Sequence, residues 1–207
     1  IAEYCADAIK NGLDCRYLAY RNDTIDKHMK EIRQQLHGRD VQGFVVGEPV
    51  TSLTGIQGVI NNNHEGNITH IGEVTKLHGI TCTPVTLDNE LTVFAAIDIK
   101  EKQNKEIGFF RLFEKFKAQA GLTTDFKAKA DELEKSLEAS AQGYKIRDEI
   151  AELRPCVAST VHKAQGSTFD VAIVDVADIL TMRNRSEALQ CLYVAVTRPK
   201  TYLILVV

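Results

Sequence analysis

Two stretches near the end of the chain hold the residue types that do chemistry on phosphates. Residues 158–170 read Ala-Ser-Thr-Val-His-Lys-Ala-Gln-Gly-Ser-Thr-Phe-Asp: a short β-rich run over 156–161 breaks into a polar turn carrying His162, Lys163, Gln165 and Gly166. A second apolar run, 171–176, follows at once. A strand that ends in donors clustered around a glycine is where open α/β sheets place ligands, and glycine lets the main chain come close to a phosphate. Residues 192–200 (Leu-Tyr-Val-Ala-Val-Thr-Arg-Pro-Lys) then put a lone arginine, Arg198, at the end of an apolar helix, with a final strand over 202–206 behind it. A guanidinium is always ionised and presents a planar fork of donors, which suits charge building on phosphoryl oxygens better than an ammonium does.

The elements that must position these groups are bounded by the bulk numbers. With 207 residues the chain has room for a sizeable core and for one domain, or one domain with an insertion. A net charge of −3 gives no basic field over the whole molecule, so contact with nucleic acid has to come from a local track. The cysteines Cys5, Cys15, Cys82, Cys156 and Cys191 are dispersed, odd in number and never spaced C-x-x-C. That argues against a disulfide framework or a zinc site and for a reducing, cytoplasmic compartment. His28, His37, His64, His70 and His78 lack metal-ligand spacing, and no apolar run approaches the ~18 residues of a membrane span. The chain opens on Ile1 within a helical pattern, which reads as a piece excised from a longer protein.

In order, Ala2, Cys5, Ala8 and Ile9 share a helical face that Gly12 ends. Residues 16–20 read as a buried strand and Asn22 to Thr24 as a helix cap, after which Ile25, Met29, Ile32 and Leu36 recur at helical spacing up to Gly38. Five β-branched runs, 44–46, 58–60, 68–71, 80–87 and 91–95, separated by Gly, Asn and Asp turns, predict a small antiparallel barrel over 41–100. Two basic against six acidic side chains make that segment a poor independent binder of DNA. Over 101–153, Phe109, Leu112, Phe113 and Phe116 form one stripe, Gly121 breaks it, and Phe126, Ala130, Leu133, Leu137, Ala141 and Tyr144 form another. These predict a helical hairpin that Pro155 ends. Residues 1–40 and 154–207 then remain as an α/β unit with a parallel sheet, its motifs along one rim at strand ends facing one cleft.

His-Lys-Ala-Gln-Gly at 162–166, followed by Tyr-Val-Ala-Val-Thr-Arg at 193–198, resembles motifs V and VI of the superfamily 1 helicases, in particular the RecD-like and phage Dda-like enzymes that travel 5′ to 3′ on single-stranded DNA. Residues 18–22 (Leu-Ala-Tyr-Arg-Asn) with 25–27 (Ile-Asp-Lys) are similar to the opening of the second RecA-like domain in those enzymes. Residues 44–48 and 63–68 resemble their SH3-like insertion. The resemblance implies a RecA-like parallel-sheet domain interrupted by an SH3-like β-barrel and a helical hairpin. It also implies the C-terminal motor domain of an ATP-dependent DNA helicase, with single-stranded DNA and the N-terminal RecA-like domain of the same parent chain as partners.

ATP and Mg2+ would be held in the full enzyme only, because no glycine is followed by lysine and the G-x-x-x-x-G-K-[ST] loop is missing. Asp175 mimics the end of a Walker B strand, but Val176 stands where a glutamate belongs, so Asp175 reads as structural. By the resemblance Arg198 is the catalytic arginine finger, Gln165, Gly166, Thr168 and Arg198 face ATP, and Arg21, Asn22, Thr160, His162 and Lys163 face DNA. Pro199 departs from the alanine common in relatives, and Thr168 from their glutamate, which puts a ribose contact in doubt. An RNA helicase, a RecD-type subunit of an exonuclease complex, and a non-catalytic nucleic-acid or partner-binding module stand as alternatives.

Overall fold

The computed structural model describes every residue except Asp40, Gln42 and Asn89, so the expected boundary at residue 40 lies outside the described residues. The chain divides into two compact units, residues 1–43 with 155–207 and residues 44–154.

The first unit is a parallel sheet with helices on both faces. Its elements in order are α1 (Ala2–Lys10), β1 (Cys15–Ala19) and α2 (Asn22–His37), with the strands and helices after the second unit labelled below. Helix α1 closes as its composition demands: Gly12 takes φ +80, and Leu13 N–H reaches back to the Ala8 carbonyl. Cys5 and Ala8 of α1 and Ile25, Met29 and Ile32 of α2 bury one face of the sheet, against Tyr17 and Ala19 of β1. The helical periods read from the sequence therefore mark the true core face.

The second unit holds β2 (Pro49–Ser52), β3 (Glu65–Ile71), β4 (Thr75–Leu77), β5 (Ile80–Leu87), β6 (Thr92–Ala96), the long helices α3 (Ile99–Leu122) and α4 (Phe126–Glu149), β7 (Ile150–Ala151) and β8 (Leu153–Pro155). Its sheet runs β7-β6-β5-β3-β2-β8, with β4 on β5. The end strands β7 and β8 are separated in the chain by Glu152 alone, so the two edges of the sheet are drawn together and the sheet curls on itself.

Three local expectations fail here. The runs at 44–46 and 58–60 are not strands: Phe44 packs on the core from a loop and Ile60 makes one isolated bridge to Ile56. Gly121 lies inside α3, and the break falls at Thr123, after which Asp125 caps α4 by accepting from the Lys127 and Ala128 amides. The second hairpin stripe is out of phase. Leu133, Leu137 and Tyr144 are exposed while Ser136, Ala139, Gly143 and Ile146 are buried, because the helices approach closely enough that a Cβ on Gly143 would meet the Phe110 ring at 3.0 Å.

The first unit resumes with β9 (Ala158–Thr160), β10 (Phe169–Asp175), α5 (Val176–Ile179), α6 (Arg185–Val196) and β11 (Pro199–Val206). The sheet order is β11-β10-β1-β9, and every pair is parallel. Leu18, Ala172 and Val174 point to the second face, where Ala188, Cys191 and Ala195 line the inner side of α6 and most of this row packs with Val161 and Ala164 of the turn after β9.

Candidate nucleotide and nucleic-acid site

The polar turn is built by alternation. Val161 and Ala164 are buried under α6, and the Lys163 and Ala164 amides both donate to the Thr160 carbonyl. The side chains of His162 and Lys163 between them, and of Gln165 just after, are thereby turned to solvent. Gly166 takes φ +91, a left-handed conformation that L side chains rarely adopt, and it redirects the chain so that the Ser167 amide donates to the Ala164 carbonyl. Thr168 follows, exposed. Thr160 is itself buried and holds the turn through its carbonyl.

Arg198 meets the far end of this turn. Its Nη1 donates to the Ser167 carbonyl at 3.2 Å, its Nε to the Val194 carbonyl at 2.9 Å and its Nη2 to the Thr197 hydroxyl at 2.9 Å. The main chain repeats the link, since the Phe169 amide donates to the Arg198 carbonyl. A guanidinium carries five N–H donors, so these three bonds leave two for a ligand.

The expectation that the arginine and the histidine cluster share one rim is corrected. Thr160 pairs with Ala19 at the carboxyl ends of the strands, whereas Arg198 precedes the Phe169–Pro199 pair at their amino ends. Phe169 to Asp175 spans β10, about 20 Å at ~3.3 Å per residue. The cause is the shortness of β9: three residues pair with the carboxyl half of β1 only, so the turn must run back beneath α6 to start β10. Both groups nevertheless lie on the α6 face. Between turn and helix is a cleft of about 320 Å3 lined by His162, Gln165, Met182, Glu187, Gln190 and Val194. His162 and Gln165 therefore share one cavity, and Met182, Glu187 and Gln190 join them, which no motif had signalled.

The turn after β1 is organised by a residue the sequence reading missed. Asp178 accepts from the Tyr20 and Arg21 amides at 2.8 Å each, from Arg21 Nε at 2.6 Å and from the Thr24 hydroxyl at 2.7 Å. Arg21, not a residue of 22–24, is the N-cap of α2 and makes no side-chain cap bond; Asp178 of α5 instead binds the amides of Tyr20 and Arg21, just ahead of the helix. Asn22 is the exposed first residue of the helix. Asp175 holds Asp178 in turn: its Oδ1 accepts from the Asp178 amide at 2.8 Å and its Oδ2 from the Tyr17 hydroxyl at 2.5 Å. Asp175 is thus the N-cap of α5, a role its place before the helix made readable, whereas the Asp178 carboxylate turns away from α5 to Tyr20, Arg21 and Thr24. Tyr20 also places its ring 6.2 Å from that of His162.

Burial alone would raise the Asp178 carboxyl pKa, but the Arg21 amide, the Thr24 hydroxyl, the Arg21 guanidinium and the Tyr20 amide together hold it below the usual aspartate value. A depressed folded value means that the stabilisation is complete above the unfolded aspartate range and is lost as pH falls through the folded one. Thermal unfolding between pH 6 and 2 is therefore expected to show an acid limb that Asp178→Asn flattens; an unchanged limb removes Asp178 as its source.

Among the described residues no group of three or more His, Cys, Asp and Glu is placed to hold a metal ion. No helix among them is long and apolar enough to cross a membrane.

The segment that carries the polar turn and the arginine tied to it is recognised by sequence comparison: residues 155–206 match the UvrD-like helicase C-terminal domain. The match is confined to that segment of the 207-residue chain, which holds the polar turn, α6 and Arg198. No curated protein matches the chain. Among solved structures, Pif1 helicase from Candida albicans is similar at TM-score 0.48 and 13% identity, over 94% of this chain and 45% of that one. Pif1 from Bacteroides in complex with ADP-AlF3 and ssDNA is similar at 0.47 and 14%, over 93% and 40%, and Bacteroides Pif1 bound to ssDNA at 0.46 and 15%, over 93% and 40%. The chain spans less than half the length of each.

Proposed function

We propose that the chain is the C-terminal motor domain of an ATP-dependent superfamily 1 DNA helicase that moves 5′ to 3′ on single-stranded DNA. It works only with an N-terminal RecA-like domain of the same parent chain, which supplies the phosphate-binding loop and the carboxylate for Mg2+. The observation that carries this reading is the bond from Arg198 to the Ser167 carbonyl. It makes the position of the guanidinium depend on the turn that bears His162 and Lys163, so that a strand pressing on one end of the turn is felt at the other.

In this reading Arg198 is the arginine finger and is joined at the nucleotide by Gln165, Gly166 and Thr168. His162 and Lys163, with Arg21 and Asn22 on the neighbouring turn, face the strand. Thr160 belongs to that track through its place at the root of the turn. Hydrogen bonds from an imidazole hold a phosphate oxygen exchangeably, which suits a motor that must release as it steps. The curled sheet of the second unit is an SH3-like barrel, and its acidity fits a lid or docking module better than a DNA grip.

The test is ATP turnover by this chain joined to its N-terminal half, with and without single-stranded DNA; turnover that no strand stimulates rejects the motor. His162→Ala is expected to raise the half-saturating strand concentration about fivefold, near 1 kcal/mol, and an unchanged DNA dependence would take His162 off the track. A second reading, a nucleic-acid or partner-binding module in which Arg198 only clamps α6, is favoured by the three bonds that side chain makes within its own domain. Turnover separates the two.

A further inference from the structure

Arg21 is held in an unusual way for a surface cation. Its side chain is 57% exposed, yet its Nε is fixed at 2.6 Å by a carboxylate that is 2% exposed. That carboxylate is in turn immobilised by two main-chain amides, the Thr24 hydroxyl and its own amide bond to Asp175. Gripping a guanidinium by Nε leaves the two terminal nitrogens as a parallel pair of donors, and among the described residues neither Nη has a partner. Such a pair is matched to two oxygens of one phosphate, and its value depends on orientation as well as charge. The fork stands at the carboxyl end of β1, on the turn whose Tyr20 ring faces His162.

We propose that Asp178 is a positioning residue that aims Arg21 as a two-pronged donor at a phosphodiester group of the bound strand; this rests on the nucleic-acid reading of the site given above. Asp178 touches no strand itself. It trades net charge for direction: the ion pair offsets much of the Arg21 charge, and what remains is a fork already turned outward. The rest of the rim grips through exchangeable groups, so an oriented donor of low net charge fits the same stepping requirement.

Charge offset and aiming predict opposite signs, which makes the idea testable. If Asp178 only masks a cation, Asp178→Asn unmasks it and tightens strand binding. If it aims the fork, the same change loosens binding. Fluorescence anisotropy of a labelled oligothymidylate is measured with the chain joined to its N-terminal half, across a salt series. Asp178→Asn is expected to weaken binding about fivefold. Arg21→Lys keeps the charge on an exposed site, cannot be held by Nε, and is expected to weaken binding to a similar extent with the salt slope unchanged; Arg21→Ala should lose as much or more. Asp178→Asn added to Arg21→Ala should have no further effect, since there is no fork left to aim.

Tighter or unchanged binding by Asp178→Asn overturns the proposal, as does Arg21→Lys binding like the unsubstituted protein, a result available even if the buried variant fails to fold. Failure of the unsubstituted protein to bind the oligonucleotide is a different result and rejects the nucleic-acid reading itself.

Discussion

In the proposed motor, with the chain joined to its N-terminal half, Arg198→Ala is expected to remove strand-stimulated ATP hydrolysis, by about 10³ to 10⁵ in rate if the side chain is an arginine finger, while single-strand binding stays within about threefold. Alanine alone is an imperfect test, because the guanidinium also satisfies the Val194 and Ser167 carbonyls. Losing a main-chain partner of this kind costs about 1 kcal/mol each, enough to loosen the turn without any catalytic role. Arg198→Lys separates the effects. A lysine keeps positive charge at the carboxyl end of α6, where the helix dipole favours it, but it lacks the planar fork. A finger predicts that lysine restores the melting temperature and leaves turnover near the alanine level. A mere helix clamp predicts that stability and turnover recover together, and equal loss of hydrolysis and binding in the alanine variant rejects the assignment.

Much of the first unit was legible because its helices are amphipathic in the ordinary way. Cys5, Ile25, Met29 and Ile32 recur at helical spacing, and each is buried. The β-branched runs of the second unit were less informative. Residues 44–46 and 58–60 resemble strands in composition but lie in loops, while β2, which opens on Pro49 and has only four residues, was overlooked. Strand propensity measures fit to a half-buried pleated surface, and a loop side chain that plugs a small core meets the same demand. In the hairpin the period was right and the phase wrong. Close approach of two helices selects small residues such as Ala139 and Gly143 at the contact, so the large side chains mark the outside.

The chemistry-bearing residues were legible and their arrangement was not. Motif spacing located His162, Gln165 and Arg198 but said nothing of the length of β9, and that length puts the turn along the sheet face in place of a single rim. The partner of Asp178 was invisible for a related reason. An aspartate far from Arg21 in the chain becomes its partner only once β10 lies beside β1. A parallel sheet joins residues that no local pattern connects.

Glu152→Ala is expected to be the most damaging single change to the fold, at about 3 to 5 kcal/mol. Lys102 is 1% exposed and donates to Glu152 Oε1 at 2.8 Å, while Gln103 donates to the other oxygen. Glu152 is also the one residue between β7 and β8, and its carbonyl accepts from the Leu53 amide. The pair thus pins the start of α3 to the point where the curled sheet closes. Removing the carboxylate strands a buried ammonium that, among the described residues, is left with Glu106 alone at 3.6 Å. Urea unfolding followed by circular dichroism should show a transition moved to lower denaturant, with a loss below 1 kcal/mol counting against the pair. Replacing both partners, Lys102→Met with Glu152→Gln, decides what the pair is for. Swapping buried ions for uncharged groups of similar volume is often neutral or stabilising, so recovered stability would mean that the ions serve to fix the join of helix and sheet. A double variant as unstable as Glu152→Ala would mean that their attraction itself holds helix and sheet together.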